Sequence, residues 1–474
     1  MKKLELVFIP LIAPTHLTST IQFAKLLIQH DQTISSITFL IILLPNQTDI
    51  DQATKSVSAS EPRIRFIIVP PPTTNPLSQI SSPISVEMLA HIFIESHKSQ
   101  IEQAVTDLVS DDSRKVIGFV LDMFCTSMID VANKFNLPSY IMFTSNICFL
   151  GFLLHVHTRH TQLGVEFNKS DPDSVISTYR NPVPVDVLPN PVFEKIGGGY
   201  DAFVYHGTRF KETKGFIVNS FVELEPYAFN SISTPIPVYP VGPLLDHKKV
   251  NRTNGSNEVI NWLDKQPPKS VIFLCFGSMG CFSEPQLEQM AIALEKSNQR
   301  FLWSVRKPPP DGVHVAPTDY TNVETVLPDG FLERVKERGM VCGWAPQVEV
   351  LAHGATKGFV THCGWNSILE GLWHGVPMAT WPLSAEQQLN AFLLVKELGL
   401  GVDLCMTYRS GGSGSELVMA GQIEKAINWL MDDENPVRNR VKEISEKSRK
   451  ALKNGGSSFI ALQKLAEDML QNID

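Results

Sequence analysis

Short apolar runs alternate with segments whose apolar residues recur at helical spacing along most of the chain. In the first half this pattern predicts strands at residues 4–10, 38–44, 63–69 and 116–121, and helices at 17–29 and 127–135. After residue 255 it predicts strands at 271–276, 301–304, 357–361 and 378–381, and helices at 284–297, 366–374 and 458–473. Strands that alternate with amphipathic helices are typical of α/β folds with parallel sheets. The pattern therefore predicts two α/β halves of similar size.

The chain length supports a division into two domains. Its 474 residues exceed the roughly 250–300 residues at which a single core stops growing. A polar stretch without apolar periodicity follows Val241-Gly242-Pro243. We predict an N-terminal domain at 1–245, a linker at 246–256, a C-terminal domain at 257–450 and a helical segment at 451–474 that packs back on the first domain. Two facing domains of this kind form a ligand cleft at the carboxyl ends of their strands.

Composition and charge narrow the function classes. The net charge of −8, from 41 basic and 49 acidic residues, argues against a nucleic-acid partner. The seven cysteines form an odd set without a C-x-x-C motif, which predicts neither a disulfide framework nor a thiolate zinc site. No apolar run approaches the roughly 20 residues of a membrane span, and Glu5 and Pro10 interrupt the first apolar stretch. We expect a monomeric cytoplasmic protein.

The segment from residue 344 to 387 carries the strongest chemical signal. A predicted strand ends before His362, Gly364 permits a sharp turn, and a helix follows at about Asn366. The free N–H groups and the dipole of a helix start attract anions, so a diphosphate fits there. His362, Asn366 and Ser367 add side-chain donors.

Other residues of this segment suit the remaining parts of a nucleotide sugar. The flat Trp344 can stack on a base, Gln347 can bind a sugar hydroxyl, and Glu370 can accept hydrogen bonds from a vicinal diol. Each of these features also has an explanation that requires no ligand. Ser367-x-x-Glu370 also matches a helix capping box, and a single tryptophan can be a core aromatic. His353, His362, Cys363 and His374 match no known metal-ligand spacing, so no metal site is expected.

In combination, residues 344–387 contain the motifs W-A-P-Q, H-C-G-W-N-S, E-G, G-V-P and A-E-Q, all in register. This segment resembles the plant secondary-product glycosyltransferase signature of the family 1 UDP-glycosyltransferases, which has 44 positions. The resemblance extends to most of the chain, including residues 119–122, 241–243 and 276–278.

The resemblance implies the GT-B fold, in which two Rossmann-like domains face each other across a cleft. It implies that Trp344 stacks on uracil, that the backbone of Ala345 binds the same base, and that Gln347 and Glu370 hold the ribose. It assigns the diphosphate to Ser278, His362, Asn366 and Ser367, and the sugar hydroxyls to Trp365, Glu386 and Gln387. In this family, glutamine at the position of residue 387 is associated with glucose as the transferred sugar. UDP-glucose is thus the expected co-substrate, with no metal or other cofactor.

A catalytic pair is predicted in the first half. His16 follows a strand and a loop at a helix start, where the helix dipole disfavours imidazolium and so keeps the ring a neutral base. Asp122 ends a buried strand, and a carboxylate bonded to the far ring nitrogen would fix the tautomer. The resemblance implies the same roles. Considered alone, His16 can also be interpreted as a loop histidine and Asp122 as a helix cap.

The acceptor is less well indicated. Met88, Phe124, Thr144 and Phe149 are candidate lining residues, and their mostly apolar character suggests phenolic, flavonoid or similar aglycones. Two departures from the family pattern occur here. Ala13-Pro14-Thr15 replaces the usual glycines before the histidine, and Ser384 replaces an aromatic residue, which predicts a roomier acceptor wall.

Three other functions are alternatives to this interpretation. A metal-dependent transferase requires a D-x-D motif, and Asp171-Pro172-Asp173 offers one, but in a polar loop. A nicotinamide oxidoreductase requires G-x-G-x-x-G after the first strand, where residues 11–16 contain no glycine. A non-catalytic nucleotide-sugar binder on the same fold is the closest rival, and the presence of both His16 and Asp122 argues against it.

Overall fold

The computed structural model describes residues 2–44, 50, 52–73, 84–246, 254–310, 316–410 and 416–471. Most of the predicted linker, residues 247–253, lies outside this part, and the end of the predicted linker is already helical. The secondary structure is mixed α/β and is divided between two parallel sheets.

The first sheet has the strand order β3-β2-β1-β4-β5-β6-β7. Its strands are β1 (Lys3–Ile9), β2 (Ile34–Ile42), β3 (Ile64–Val69), β4 (Arg114–Asp122), β5 (Ser139–Phe143), β6 (Phe216–Val218) and β7 (Val238–Pro240). The helices of this half are α1 (Pro14–His30), α2 (Gln52–Ser60), α3 (Val86–Glu95), α4 (Lys98–Val109), α5 (Ile129–Lys134), α6 (Ile147–Leu163), α7 (Gly199–Arg209) and α8 (Pro226–Ser231).

The second sheet has the order β10-β9-β8-β11-β12-β13. Its strands are β8 (Val271–Cys275), β9 (Arg300–Ser304), β10 (Gly339–Cys342), β11 (Thr356–Thr361), β12 (Met378–Thr380) and β13 (Gly401–Asp403). The helices are α9 (Asn254–Leu263), α10 (Glu284–Ser297), α11 (Phe331–Val335), α12 (Gln347–Ala352), α13 (Trp365–His374), α14 (Gln387–Phe392), α15 (Ala420–Met431), α16 (Pro436–Ala451) and α17 (Ser457–Gln471).

The central strands are apolar because both of their faces are covered. All five residues of β8 are buried, as are all five of β5. Continuous apolar runs of this kind are expected of parallel strands that carry helices on both sides. In the first sheet β1 lies between β2 and β4, so that Val7 is paired with Thr38 on one side and with Phe119 on the other.

The sequence pattern located several of the elements, misplaced some boundaries, and missed the long helices α6 and α16. Helix α10 has the predicted limits, whereas α1 begins at Pro14 rather than at 17, because proline is well suited to a first helical turn. The helix predicted at 127–135 begins as a 3₁₀ turn at Thr126–Met128 and continues as α5. The short strands β6, β7 and β13 have only three residues each and gave no periodic signal.

The chain returns to the first half at its C-terminal end. Helix α17 packs on α1 and on the edge strand β7, and its buried residues include Leu462, Leu465 and Met469. Polar bonds fix it in place, because Tyr239 donates to Asp468 and the Ser458 hydroxyl donates to the carbonyl of Gly242 at 2.6 Å. The polypeptide therefore passes between the two halves twice, once before α9 and once between α16 and α17.

No helix in the described part of the chain combines the length and the apolar character needed to cross a membrane.

Candidate active site

The predicted site residues lie at the carboxyl ends of strands from both sheets. In the first half His16 follows β1, Asp122 ends β4 and Thr144 follows β5. In the second half Ser278 follows β8, Trp344 follows β10, His362 follows β11, and Glu386 and Gln387 follow β12. Because the strands of each sheet are parallel, each set of loops meets at one edge, which is where ligands bind in such sheets.

His16 and Asp122 form a direct pair. His16 is the third residue of α1, and its Nδ1 lies 2.8 Å from Asp122 Oδ2. The Asp122 carboxylate is fully buried and is oriented by the main-chain N–H of Phe124, which donates to Oδ1 at 3.0 Å. The carboxylate therefore fixes the proton on Nδ1 and leaves Nε2 as the basic nitrogen.

The electrostatic balance at His16 differs from the sequence prediction. Burial lowers the pKa of His16, but the charge of Asp122, its hydrogen bond and the charge of Glu386 together raise the pKa above the ordinary value of 6.5. The carboxylate therefore acts against the effect expected of the helix start, which is to disfavour imidazolium. The raised pKa makes His16 a stronger base.

The candidate acceptor-lining residues do not all lie beside His16 and Asp122. Thr144 and Phe124 adjoin the pair, with the Thr144 hydroxyl 3.1 Å from His16 Nδ1 and the Phe124 ring 6.0 Å from the imidazole. Met88 on α3 packs against the main chain at Gly198, before α7. Phe149, in contrast, is only 2% exposed and packs on the rings of Phe143, Phe152 and Phe203 in the core.

At the start of α13 the His362 ring is enclosed by glycine backbone. A Cβ added at Gly277 would lie 2.7 Å from His362 Nε2, and one at Gly364 would lie 2.4 Å from it. Gly277 also has a φ of +74°. Burial lowers the pKa of His362 to about 4, so the ring is neutral, and its Nδ1 has no hydrogen-bond partner in the described part of the chain. His362 can thus serve a diphosphate as a neutral donor.

The side chains that are expected to bind the ribose are linked by a hydrogen bond to each other. Gln347 Nε2 donates to Ser367 Oγ at 2.8 Å and to Glu370 Oε2 at 2.7 Å. The N-cap of α13 is Gly364 and Ser367 is its third residue, so the capping-box alternative does not hold. Burial, only partly offset by the Gln347 bond, raises the pKa of Glu370 to about 7.

Trp344 is 42% exposed, so part of its indole is accessible to a ligand, whereas the neighbouring Ala345 is buried.

The loop after β12 presents the two residues predicted to bind the sugar. Gln387 Oε1 accepts the main-chain N–H groups of Leu383 and Ser384 at 2.8 and 3.0 Å, so its amide N–H groups remain for a ligand. The Glu386 carboxylate lies 3.5 Å from the hydroxyl of Ser145 in the opposite half. Ser384 itself is exposed.

Trp365 and Asn366 are engaged between the two halves. The Trp365 indole N–H donates to the carbonyl of Asn219 at 2.6 Å, which leaves its main-chain N–H as the donor available to a ligand. The Asn366 side chain contacts the carbonyl of Thr15 and the hydroxyl of Ser19. First-turn N–H groups of a helix lack intrahelical partners, so α13 still offers main-chain donors to an anion.

Sequence reasoning missed several residues at this boundary. Ser19, Asn219, Asn146 and Asn390 all bridge the halves or their loops through side-chain hydrogen bonds. Only Asn146 carried a local signal, because asparagine before an apolar run is typical of a helix N-cap.

Across the described ranges, no three His, Cys, Asp or Glu side chains are grouped so as to hold a metal ion. In the D-x-D triplet, Asp171 pairs with Arg159 at 2.7 Å and accepts the main-chain N–H of Asn168, as in a surface turn.

Comparison with known proteins gave concordant matches. The family model described as UDP-glucoronosyl and UDP-glucosyl transferase matches residues 226–425. UDP-glycosyltransferase 71K1 of Malus domestica is 47% identical over 99% of both chains, and UDP-glucose flavonoid 3-O-glucosyltransferase 6 of Fragaria ananassa is 45% identical over 99% of both.

Among solved structures, a UGT of Medicago truncatula complexed with UDP-glucose is 42% identical, with a TM-score of 0.86 over 98% of both chains. A UGT from Siraitia grosvenorii in complex with UDP is 40% identical, with a TM-score of 0.87 over 99% of this chain and 100% of that one.

Proposed function

Because the chain belongs to the UDP-glycosyltransferase family, we propose that it transfers glucose from UDP-glucose to a hydroxyl group of a small, mostly apolar acceptor such as a phenol or flavonoid. The observation that carries this proposal is the 2.8 Å contact between His16 and Asp122. This base faces the loop that presents Glu386 and Gln387, so that an acceptor hydroxyl and a sugar can meet between them.

The proposed reaction inverts the anomeric centre. Nε2 of His16 takes the proton of the acceptor hydroxyl as its oxygen forms a bond to the anomeric carbon. The bond from that carbon to the phosphate oxygen breaks on the opposite face, and its electron pair leaves with UDP. An α-linked donor therefore gives a β-glucoside. General base assistance of this kind contributes roughly 10²–10⁴-fold to the rate.

The negative charge that develops on the leaving diphosphate needs stabilisation. The first-turn N–H groups of α13, the neutral His362 and the Ser367 hydroxyl are the donors at this place. Because fixed dipoles aimed at developing charge can replace a cation, we propose that the reaction requires no metal.

We also infer a monomer in a reducing compartment such as the cytoplasm. All seven cysteines are unpaired, and four of them are buried, which fits a compartment in which thiols stay reduced.

The test is an incubation with UDP-glucose and a panel of phenolic aglycones, with and without EDTA, followed by chromatography and mass measurement of products. We expect a hexose mass gain that is unaffected by EDTA. In His16→Ala it should fall by roughly 10²–10⁴-fold, while UDP-glucose affinity stays within about twofold. Binding of UDP-glucose without product from any acceptor would instead favour the non-catalytic binder.

A further inference from the structure

Two buried asparagines meet across the boundary between the halves. Asn146 Nδ2 donates to Asn390 Oδ1 at 2.7 Å, although the two residues are 244 positions apart in sequence. Asn146 is 0% exposed and Asn390 is 1% exposed. Buried amides are costly unless all of their polar atoms are paired, so this contact constrains both side chains.

The orientation of Asn146 is set by its own helix. Its Oδ1 accepts the main-chain N–H of Phe149 at 2.7 Å and so caps α6. An amide oxygen can only accept and an amide nitrogen can only donate. The nitrogen of Asn146 must therefore face Asn390, and Asn390 must present its oxygen in return.

The orientation of Asn390 follows from that of Asn146. With Oδ1 directed at Asn146, the Nδ2 of Asn390 donates to the carbonyl of Cys363 at 3.0 Å and lies 3.4 Å from Glu386 Oε1. Asn390 lies one helical turn after Glu386, so the two side chains share a face of α14. Asn390 thus joins the Glu386 carboxylate to the loop that precedes α13.

The opposite half places the base beside the same carboxylate. Thr144 and Ser145 are consecutive residues, and the Thr144 hydroxyl lies 3.1 Å from His16 Nδ1 while the Ser145 hydroxyl lies 3.5 Å from Glu386 Oε1. One short segment therefore contacts both the base and the sugar-binding carboxylate, directly before the Asn146 cap.

We propose that Asn390 is a positioning residue of glucose transfer, which holds Glu386 toward the sugar and the base only while its amide is bound by Asn146 from the other half. The proposal rests on the function proposed above. It makes the contact between the two halves a condition for correct placement of the sugar, and not merely a source of stability.

The test compares Asn390→Ala and Asn146→Ser with the wild type. Serine retains the capping of α6 but lacks the amide nitrogen, so Asn146→Ser removes the contact without removing the helix cap. We expect both variants to lower kcat for glucose transfer by about tenfold, as for a lost buried polar contact. Both should weaken UDP-glucose binding, while UDP, which has no sugar, binds within about twofold of the wild type. The double variant should be no worse than Asn390→Ala, because the two residues act in one chain of bonds.

Asn435→Ala provides the matched control. Asn435 is also buried, accepts the main-chain N–H of Val437 and donates to the carbonyl of Trp429, but it lies at the start of α16. The Asn435→Ala variant should be less stable than the wild type, without a change in the ratio of its UDP-glucose affinity to its UDP affinity. Unchanged kcat in Asn146→Ser and Asn390→Ala, or an equal loss of UDP and UDP-glucose affinity, would overturn the proposal. Failure of the wild type to form any glucoside would instead overturn the proposed function.

Discussion

At the scale of single residues, the most informative contact is the one between His16 and Asp122. The Asp122→Asn variant removes the charge that raises the pKa of His16, and the pKa should then fall as burial becomes dominant. Because the base acts only when deprotonated, the acidic limb of the kcat/KM profile should move to lower pH. The plateau rate should also drop by about 10²–10⁴-fold, since an amide favours the wrong tautomer.

The measurement is kcat/KM from pH 5 to 9 for both proteins, with UDP affinity as the control for donor binding. An acidic limb that stays in place would show that His16 is not the titrating base.

Glu370 offers a second residue-scale prediction. Its pKa of about 7 means that a large fraction is protonated at neutral pH before a nucleotide binds. A ribose diol donates to the ionised form, so UDP binding should release a proton and weaken as the pH falls below 7. Calorimetry in buffers of different ionisation enthalpy measures the released proton. Glu370→Gln should abolish the release, and its persistence in that variant would contradict this assignment.

Site residues could be predicted from the sequence where a local pattern places them, and could not be predicted where their role depends on a partner that is distant in the chain. His16 and Asp122 were foreseeable because each lies at the carboxyl end of a strand, and the carboxyl ends of parallel strands converge. Asn390 was not foreseeable, because its role arises from a partner in another domain. The use of the Trp365 indole between the halves, and the burial of Phe149 among other rings, likewise depend on packing that no local pattern encodes.

At the scale of elements, the turn into α13 depends on the absence of side chains beside His362. Gly364→Ala would place a Cβ 2.4 Å from His362 Nε2, so the ring or the backbone must shift. We expect UDP affinity to fall by about tenfold, as for other overpacked sites. Gly421→Ala is the control, since the space around Gly421 on α15 is open. Titration calorimetry with UDP measures both, and equal affinities would show that the helix start tolerates the added methyl group.

Length alone did not decide which elements could be predicted, because the helices α6 and α16, with 17 and 16 residues, were missed. Helix α10 was placed to the residue because its apolar face repeats over 14 residues, whereas three-residue strands such as β7 contain too few positions for an alternation to register. Helix α1 begins three residues before its predicted start, because Pro14 is well suited to a first helical turn.

At the scale of the whole molecule, α17 stabilises the half from which it is most distant in sequence. Leu465 is fully buried in this helix, so Leu465→Ala should lower the free energy of unfolding by about 2–5 kcal/mol. Ile460 on the same helix is 55% exposed, and Ile460→Ala should change it by no more than about 0.5 kcal/mol. Urea denaturation followed by circular dichroism compares the two. Equal midpoints would mean that α17 is not integral to the first half.

The two passages of the chain between the halves have a mechanical consequence. Bodies joined by one tether can swivel in any direction, but bodies joined at two points can rotate freely only about the line through both points. The second crossing, between α16 and α17, therefore restricts the relative motion of the halves more than a single connection would. Because fewer relative orientations of the halves remain open, His16 and a sugar held by the opposite half meet in a narrower range of alignments.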